Sequence, residues 1–327
     1  MQLSVKECRQ LAEAAMASVG HSAEESQIIA DHLVDCELRG LGFGGLARAL
    51  SVIERLRRVD ERRPIRVLQQ SPASACLDGG DQVGYLVGRR ATDIAIDKAR
   101  ATGLAAVGAS KTWYTGMFSY YLERVTAAGF VGMITGSGSP KVAPHGGTEP
   151  RFNTNPIAFG FPSLGTPVIW DIGTSSVMAG EVTLKKRLGE TLEPGQAFDR
   201  AGQPTLDPVA AMAGAFTAWG GHKGSGLALS VQLLSMMAGQ VTVPVELRDC
   251  GFFITVFNPD LFTPPGEFKR RVTEYADLLR ANRPVDAARP VRVPFERSAA
   301  ERNRRTAADR IEVDDRIHHA LKELACK

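Results

Sequence analysis

Between Gly84 and Ser139 the sequence alternates, and this alternation restricts the fold more than any other feature. GYLVGRRATDIAIDKARATG repeats apolar residues at helical spacing and LAAVGAS is a short buried strand. MFSYYLERVTAAG is helical again, and FVGMITGSGS is a second strand. Helices and strands in succession require a sheet with helices laid on it, so the class is α/β. Both ends are helical instead. Residues 4–19 and 23–38 keep apolar positions on one face, with Ser22 as N-cap and Glu25 three residues on as its capping-box partner. The run 45–59, GLARALSVIERLRRV, is a third helix, and VDDRIHHALKELA is another. Pro64 breaks the helical pattern before the strand IRVLQ. Residues 151–175 read as strands joined by proline and glycine turns. GSGLALSVQLLSMMAG is an apolar helix, FFITVFNPDLF a strand and FKRRVTEYADLLRAN an amphipathic helix. No repeat or long linker divides the chain.

Charge and cysteine content exclude several classes. The net charge is +3 over 327 residues. The late arginines, Arg297, Arg302, Arg304, Arg305 and Arg310, are interleaved with acids, which reads as a solvated helix face and not as a nucleic-acid patch. The five cysteines contain no CxxC pair, so neither a zinc site nor a disulfide framework is expected, and a reducing compartment is. MQLSVKECRQLAEAAM has charges where a signal peptide needs an apolar run, and no window of 18 apolar residues lacks charge. A soluble cytoplasmic protein is expected, with no membrane or nucleic-acid partner.

Four segments carry residues suited to chemistry. In GGHKGSGLAL, glycines crowd around Lys223 ahead of a helix, an arrangement that favours an anion at the helix start. It is not a Walker A loop, because Gly224 stands where Ser or Thr is needed. In PHGGTEPRFNTNPIAFGFP, His145 on a loop is open to acid–base work or to capping a turn, and Asn153 and Asn155 suit turns. In WDIGTSS, Asp171 could accept from a ribose hydroxyl while Thr174 and Ser175 donate to phosphate, or Asp171 could cap the next turn. In KTWYTGMFSYY, Tyr114 and Tyr120 flank a glycine, an aromatic group suited to packing or to a site. No GxGxxG follows a strand and opens a helix, and there is no GxSxG or HExxH.

Taken together and in order, RGLGFGGLAR, TWYTGMFSYY, VAPHGGTEPRFNTNPIAFGFP, DIGTSSVMAGEV, GGHKGSGLALSVQLL and RVPFERSAAERNRR make the chain resemble the malate/L-lactate dehydrogenase family. These are NAD(P)-dependent oxidoreductases without the usual Rossmann fold. The resemblance implies a three-layer, mixed-sheet α/β fold of the sulfolactate dehydrogenase type. Residues 1–62 and 298–327 would form a helical cap on an α/β body of residues 63–297. It implies a homodimer, NADPH or NADH as cofactor, and small 2-keto or cyclic 2-imino acids as substrates. Asp171, Ile172, Gly173, Thr174, Ser175, His222, Lys223 and Glu296 would hold the cofactor. Arg48, Gly44 and Thr154 would face the substrate, with Arg48 gripping its carboxylate as a bidentate guanidinium does well.

The departures concern proton transfer. Keto-acid members read DSHG where this chain has Gly42, Phe43, Gly44 and Gly45, so the proton-donating histidine falls on Gly44. A second family histidine falls on Tyr114, and the family's PGE reads Pro294, Phe295, Glu296. A positioned acid contributes roughly 10²–10⁴-fold to ketone reduction, and this one is missing. A cyclic imine beside a carboxylate can bind already protonated and then needs only hydride and orientation. Glu181, where many members carry a basic residue, would favour that cation. Reduction of a cyclic 2-imino acid is therefore the leading expectation, with Tyr114, His145 and Glu181 as candidate catalytic groups. A 2-keto acid dehydrogenase with Tyr114 or His145 as replacement acid is the alternative, and an inactive dinucleotide-binding protein is the third.

Overall fold

The computed structural model describes Met1–Ala325; Cys326 lies outside the described residues. A two-residue strand β1 (Gln2–Leu3) leads into α1 (Val5–Ala17) and α2 (Ala23–Leu38), each opened by a serine–glutamate capping box. The turn Gly42–Gly44 separates α2 from α3 (Leu46–Arg58). Then follow β2 (Arg66–Ser71), β3 (Ser74–Val83), α4 (Gly84–Thr102), β4 (Leu104–Trp113), α5 (Phe118–Ala127) and β5 (Val131–Ser137). The hairpin β6 (Ile157–Phe161) and β7 (Val168–Ile172) precedes α6 (Ala179–Leu188), β8 (Ala197–Phe198), α7 (Pro208–Ala213), β9 (Ala215–Phe216) and α8 (His222–Met237). The last elements are β10 (Cys250–Phe257), α9 (Glu267–Arg280), α10 (Glu296–Ala308), β11 (Ile311–Glu312) and α11 (Asp315–Ala325).

Seven strands form one mixed sheet in the order β2-β3-β4-β10-β5-β6-β7. β3 and β4 run parallel with α4 as their crossover, and the other neighbours run antiparallel. Strand alternation sends Phe252, Ile254 and Val256 of β10 to one face, where they pack with Val87, Ala91 and Ala95 of α4 and Leu122 and Val125 of α5. The opposite face carries α8. There Gly108 and Gly251 let the helix approach, since a Cβ at either would come within 2.9 Å of Ala238 or 3.0 Å of Ser235. Three layers result, as expected from the sequence. The terminal helices share a separate apolar cluster that includes Cys8, Met16, Leu33, Leu46, Ile53, Ile317 and Leu321. β1 and β11 tie its two ends together, with Gln2 opposite Glu312 and Leu3 opposite Ile311. No helix among the described residues is long and apolar enough to cross a membrane.

Two elements escape a reading by periodicity. β3 runs through SACLDGGDQV, whose glycines and aspartates signal a turn. They are tolerated because Gly79 and Gly80 sit where any Cβ would strike the backbone of Ser110, Lys111 and Arg63. α6 is only ten residues long and ends on Lys185, Lys186 and Arg187, so it shows no clear apolar face.

Candidate active site

The glycine-rich turn after α2 is shaped by a carboxylate beneath it. Gly45 is the N-cap of α3 and offers no capping side chain. Glu37 takes over that role, its Oε1 accepting the Leu46 N–H at 2.7 Å. A Cβ on Gly45 would overlap Glu37, lying 2.6 Å from its Cγ, so glycine is required for the carboxylate to reach the helix. Burial pushes the Glu37 carboxyl up to about 7, against the opposing pulls of the Leu46 N–H and Arg305. The sign of the consequence is fixed. Between about pH 4.5 and 7 the unfolded chain releases this proton while the folded one keeps it, so stability falls as pH rises through that window. Glu37→Gln keeps the acceptor and removes the titration. Its melting temperature in calorimetry should match or trail the wild type at pH 5 and exceed it at pH 8. A difference that stays constant with pH would contradict this assignment.

Arg48 stands in the first turn of α3, half-buried, its Cζ 4.4 Å from the centre of the Tyr114 ring. Its other neighbours are Phe43 and Gly180. A side chain at Gly180 would overlap the Arg48 guanidinium and lie 3.0 Å from Phe43 Cδ2. Among the described residues Arg48 has no ion pair, so its charge is available to a ligand. Tyr114 leaves the end of β4 at a φ of +52°, in the left-handed region that few non-glycine residues adopt. Its ring also meets Trp113 edge-on at 5.5 Å. Glu181 follows Gly180 in the first turn of α6 and is half-buried. Three separate segments, residues 43–48, Tyr114 and the start of α6 with Gly180, thus meet around the Arg48 guanidinium, and Glu181 follows Gly180 there.

Gly44 is half-buried, and its Cβ direction faces Cys36. A Cβ there would lie 3.2 Å from Cys36 Sγ, closer than such contacts normally come. Burial holds the Cys36 thiol well above its ordinary range, with Asp35 and Glu37 adding to the effect. The neighbouring Tyr85 phenol is also pushed up by burial, against the charge of Arg48. Neither releases a proton near neutral pH.

The second group lies at the start of α8. Gly220 and Gly221 have φ of +62° and +61°, and no side chain caps the helix. Its first N–H groups are free, with Lys223 and His222 exposed beside them. His145 joins this group and not the substrate group. Its backbone N–H donates to Ser225 Oγ at 3.1 Å and its ring is 6.1 Å from that of His222. Met178, the residue before α6, packs on the strand end, since a Cβ on Gly173 would overlap its sulfur.

Several residues expected to hold the ligand have structural work. Asp171 Oδ2 accepts the Ser119 N–H at 2.8 Å and so caps α5, and burial raises its carboxyl to about 6. Thr174 donates its hydroxyl to the Thr154 carbonyl at 3.1 Å, and Ser175 donates to Val177 O at 2.8 Å. Thr154 is itself buried, its hydroxyl on Asn153 Oδ1 at 3.0 Å. The hydroxyls therefore point into the protein, and the backbone of Thr174 is taken as well, its N–H by Thr154 O and its carbonyl by the Trp219 N–H. Glu296 accepts from Arg280 Nε and from the Val293 N–H at 3.0 Å, which fixes the turn before α10. Beside it opens a cavity of about 600 Å³ lined by Arg39, Gly40, Arg292, Arg297, Arg304 and Glu301, the last paired with Arg304. Sequence reasoning missed Glu37, Cys36, Met178 and Gly180, which bear no motif and matter only by what they touch.

An unpaired guanidinium over an aromatic ring can hold a carboxylate, and a bare helix start with an exposed lysine can hold a phosphate. The profile of the malate/L-lactate dehydrogenase family matches residues 3–322. The L-sulfolactate dehydrogenase of Methanocaldococcus jannaschii is 31% identical over 315 residues, 93% of this chain and 91% of that one. A Delta(1)-pyrroline-2-carboxylate/Delta(1)-piperideine-2-carboxylate reductase of Pseudomonas aeruginosa is 33% identical over 238 residues, 72% of this chain and 71% of that one. Among solved structures, a dehydrogenase from Sinorhizobium meliloti superposes with a TM-score of 0.92 at 29% identity, covering 99% of this chain and 98% of that one.

Proposed function

The chain belongs to the malate/L-lactate dehydrogenase family and is an NAD(P)-dependent oxidoreductase, and from that premise we propose that it reduces a small cyclic 2-imino acid. One observation supports the choice of substrate: Arg48 is unpaired among the described residues, while Gly44, at the place of the proton donor, has no titratable side chain and its Cβ direction faces the buried Cys36 thiol. The walls beside Arg48 are aromatic, Phe43 and Tyr114, which suits a ring better than the second anionic group of malate or sulfolactate.

The cofactor fits the second group: free helix N–H groups and Lys223 would take its phosphates. When bound, it supplies the hydride. The arginine-lined cavity beside Glu296 supports NADPH, whose extra phosphate Arg292 or Arg297 would hold. Arg48 holds the substrate carboxylate and so fixes the C=N carbon in position. The ring nitrogen arrives protonated from solvent, and the Glu181 carboxylate favours that cation. Tyr114 shields the pair from water and orients Arg48. No enzyme group has to deliver a proton.

The exposed residues Leu229, Leu233 and Met237 form one stripe along α8, continued by Val241, Val243 and Val245. They supply the face that a second copy would cover in a homodimer. The unpaired cysteines Cys8, Cys36, Cys76 and Cys250 fit the cytoplasm. The test is a panel of five- and six-membered cyclic 2-imino acids and of pyruvate, oxaloacetate and branched keto acids, with NADPH and with NADH. Nicotinamide absorbance is followed, on protein whose sedimentation mass is that of two chains. The imines should be the better substrates by at least about tenfold in kcat/KM, as befits a site without its acid. Faster turnover of any keto acid would reverse the assignment.

A further inference from the structure

His32, in the middle of α2, is fully buried and yet charged with no task in the chemistry above. Its ring lies among Tyr85, Tyr120 and Tyr121, with centroids 4.6, 4.4 and 5.4 Å away. Burial drives its imidazole down to about 3, so it is neutral at working pH. Nε2 accepts the backbone N–H of Met117 at 2.8 Å, which puts the ring proton on Nδ1, where no protein partner meets it. A histidine that keeps a buried donor unpaired is costly, and the compensating contact is the one to Met117.

Met117 ends the segment that begins at Tyr114. Gly116, at a φ of +74°, lies directly on the imidazole: a Cβ there would be 2.7 Å from His32 Cε1 and 2.5 Å from Tyr85 Cε1. Thr115 is pinned from below, its carbonyl accepting the Tyr121 hydroxyl at 2.8 Å and its Cα 2.6 Å from where a Gly84 Cβ would stand. The segment is therefore seated on aromatic rings, with His32 its only hydrogen-bond acceptor at Met117. At its other end the Tyr114 ring stands under Arg48.

We propose that His32 is a positioning residue for substrate binding: its bond to Met117 fixes the Tyr114–Met117 segment, so that the Tyr114 ring holds the Arg48 guanidinium in the orientation that meets the substrate carboxylate. Among the described residues Arg48 has no carboxylate partner to orient it, and a free arginine has many rotamers. The ring beneath it restricts them. This proposal rests on the role of Arg48 given above, but not on the choice between imine and ketone.

The test compares His32→Leu, which removes the acceptor, with His32→Gln, whose side-chain carbonyl reaches about as far as Nε2. With NADPH saturating, His32→Leu should raise the substrate KM about tenfold and leave the KM for NADPH within about twofold, the size expected for one lost hydrogen bond. His32→Gln should return the substrate KM to within about threefold of wild type. Tyr114→Leu removes the ring under Arg48, and should raise the substrate KM as His32→Leu does, even if the latter does not fold. If the wild type turns over no substrate, the substrate reading fails by itself. The same variants are then compared by calorimetry for binding of pyrrole-2-carboxylate, a planar ring carboxylate, with the same pattern expected. Equal loss in His32→Gln and His32→Leu, a change confined to melting temperature, or an unchanged affinity in Tyr114→Leu would each overturn the proposal.

Discussion

Replacing Arg48 by alanine should lower kcat/KM for the carboxylate substrate by about 10²–10³-fold, the cost of truncating one partner of a desolvated charge pair. Dinucleotide affinity should hardly change, because Arg48 touches Phe43, Tyr114 and Gly180 and not the start of α8. The size of the effect follows from the arrangement around the guanidinium. It carries a full charge and stacks on a ring, so its fork is already oriented before the ligand arrives. Arg48→Lys should recover only part of the loss, since an ammonium restores the charge without the planar fork or the stacking. Steady-state kinetics at saturating cofactor decide the matter. A loss of less than about fivefold in Arg48→Ala would mean that the carboxylate is held elsewhere.

Gly224→Ala should weaken NADPH binding by at least about tenfold and lower the melting temperature by roughly 2–8 °C, as overpacking of a rigid contact does. A Cβ at Gly224 would run into the Trp219 carbonyl, standing 2.8 Å from its carbon and closer still to its oxygen. That carbonyl cannot retreat easily. The Trp219 N–H is bound to Thr174 O at 2.8 Å, and Gly220 and Gly221 already take the only backbone path that doubles back over the helix start. The methyl group must therefore push the first turn of α8 away, carrying Lys223 and the free N–H groups with it. Gly226, two residues on, is the control. Nothing lies within 4 Å of its missing Cβ, so Gly226→Ala should keep or slightly raise the melting temperature. Calorimetric titration with NADPH on both variants tests the pair, and equal affinities would remove the phosphate role from this helix start.

The architecture was readable where side-chain spacing reports on burial. The alternation from Gly84 to Ser139 gave the body, and serine capping boxes marked the first two helices. The proposed substrate group came from motif order, because Gly44, Arg48 and Tyr114 stand at fixed places in short segments. Its supports did not. Cys36 against Gly44, Glu37 under Gly45 and Gly180 against Arg48 are contacts between residues up to 132 positions apart in the sequence, and nothing in either partner alone announces them. Asp171 illustrates the converse. A carboxylate at a strand end looks ready for a ribose, yet the free N–H of Ser119, brought beside it by the fold, also needs an acceptor.

The pairing of Gln2–Leu3 with Ile311–Glu312 has a bearing on synthesis. The ammonium of Met1 reaches the carbonyl of Val313 across 312 positions of sequence. At the usual pace of translation, residue 313 follows residue 1 by roughly 15–60 s. Throughout that interval α1, α2 and α3 exist without β11 and α11, and the apolar faces they will share with Ile317 and Leu321 are open to water and to other chains. The body of the sheet, whose β3–β4 and β5–β6 neighbours are close in sequence, can form meanwhile. The cap that carries Arg48 is thus completed last, and a newly made chain acquires its grip on substrate only after its sheet is built.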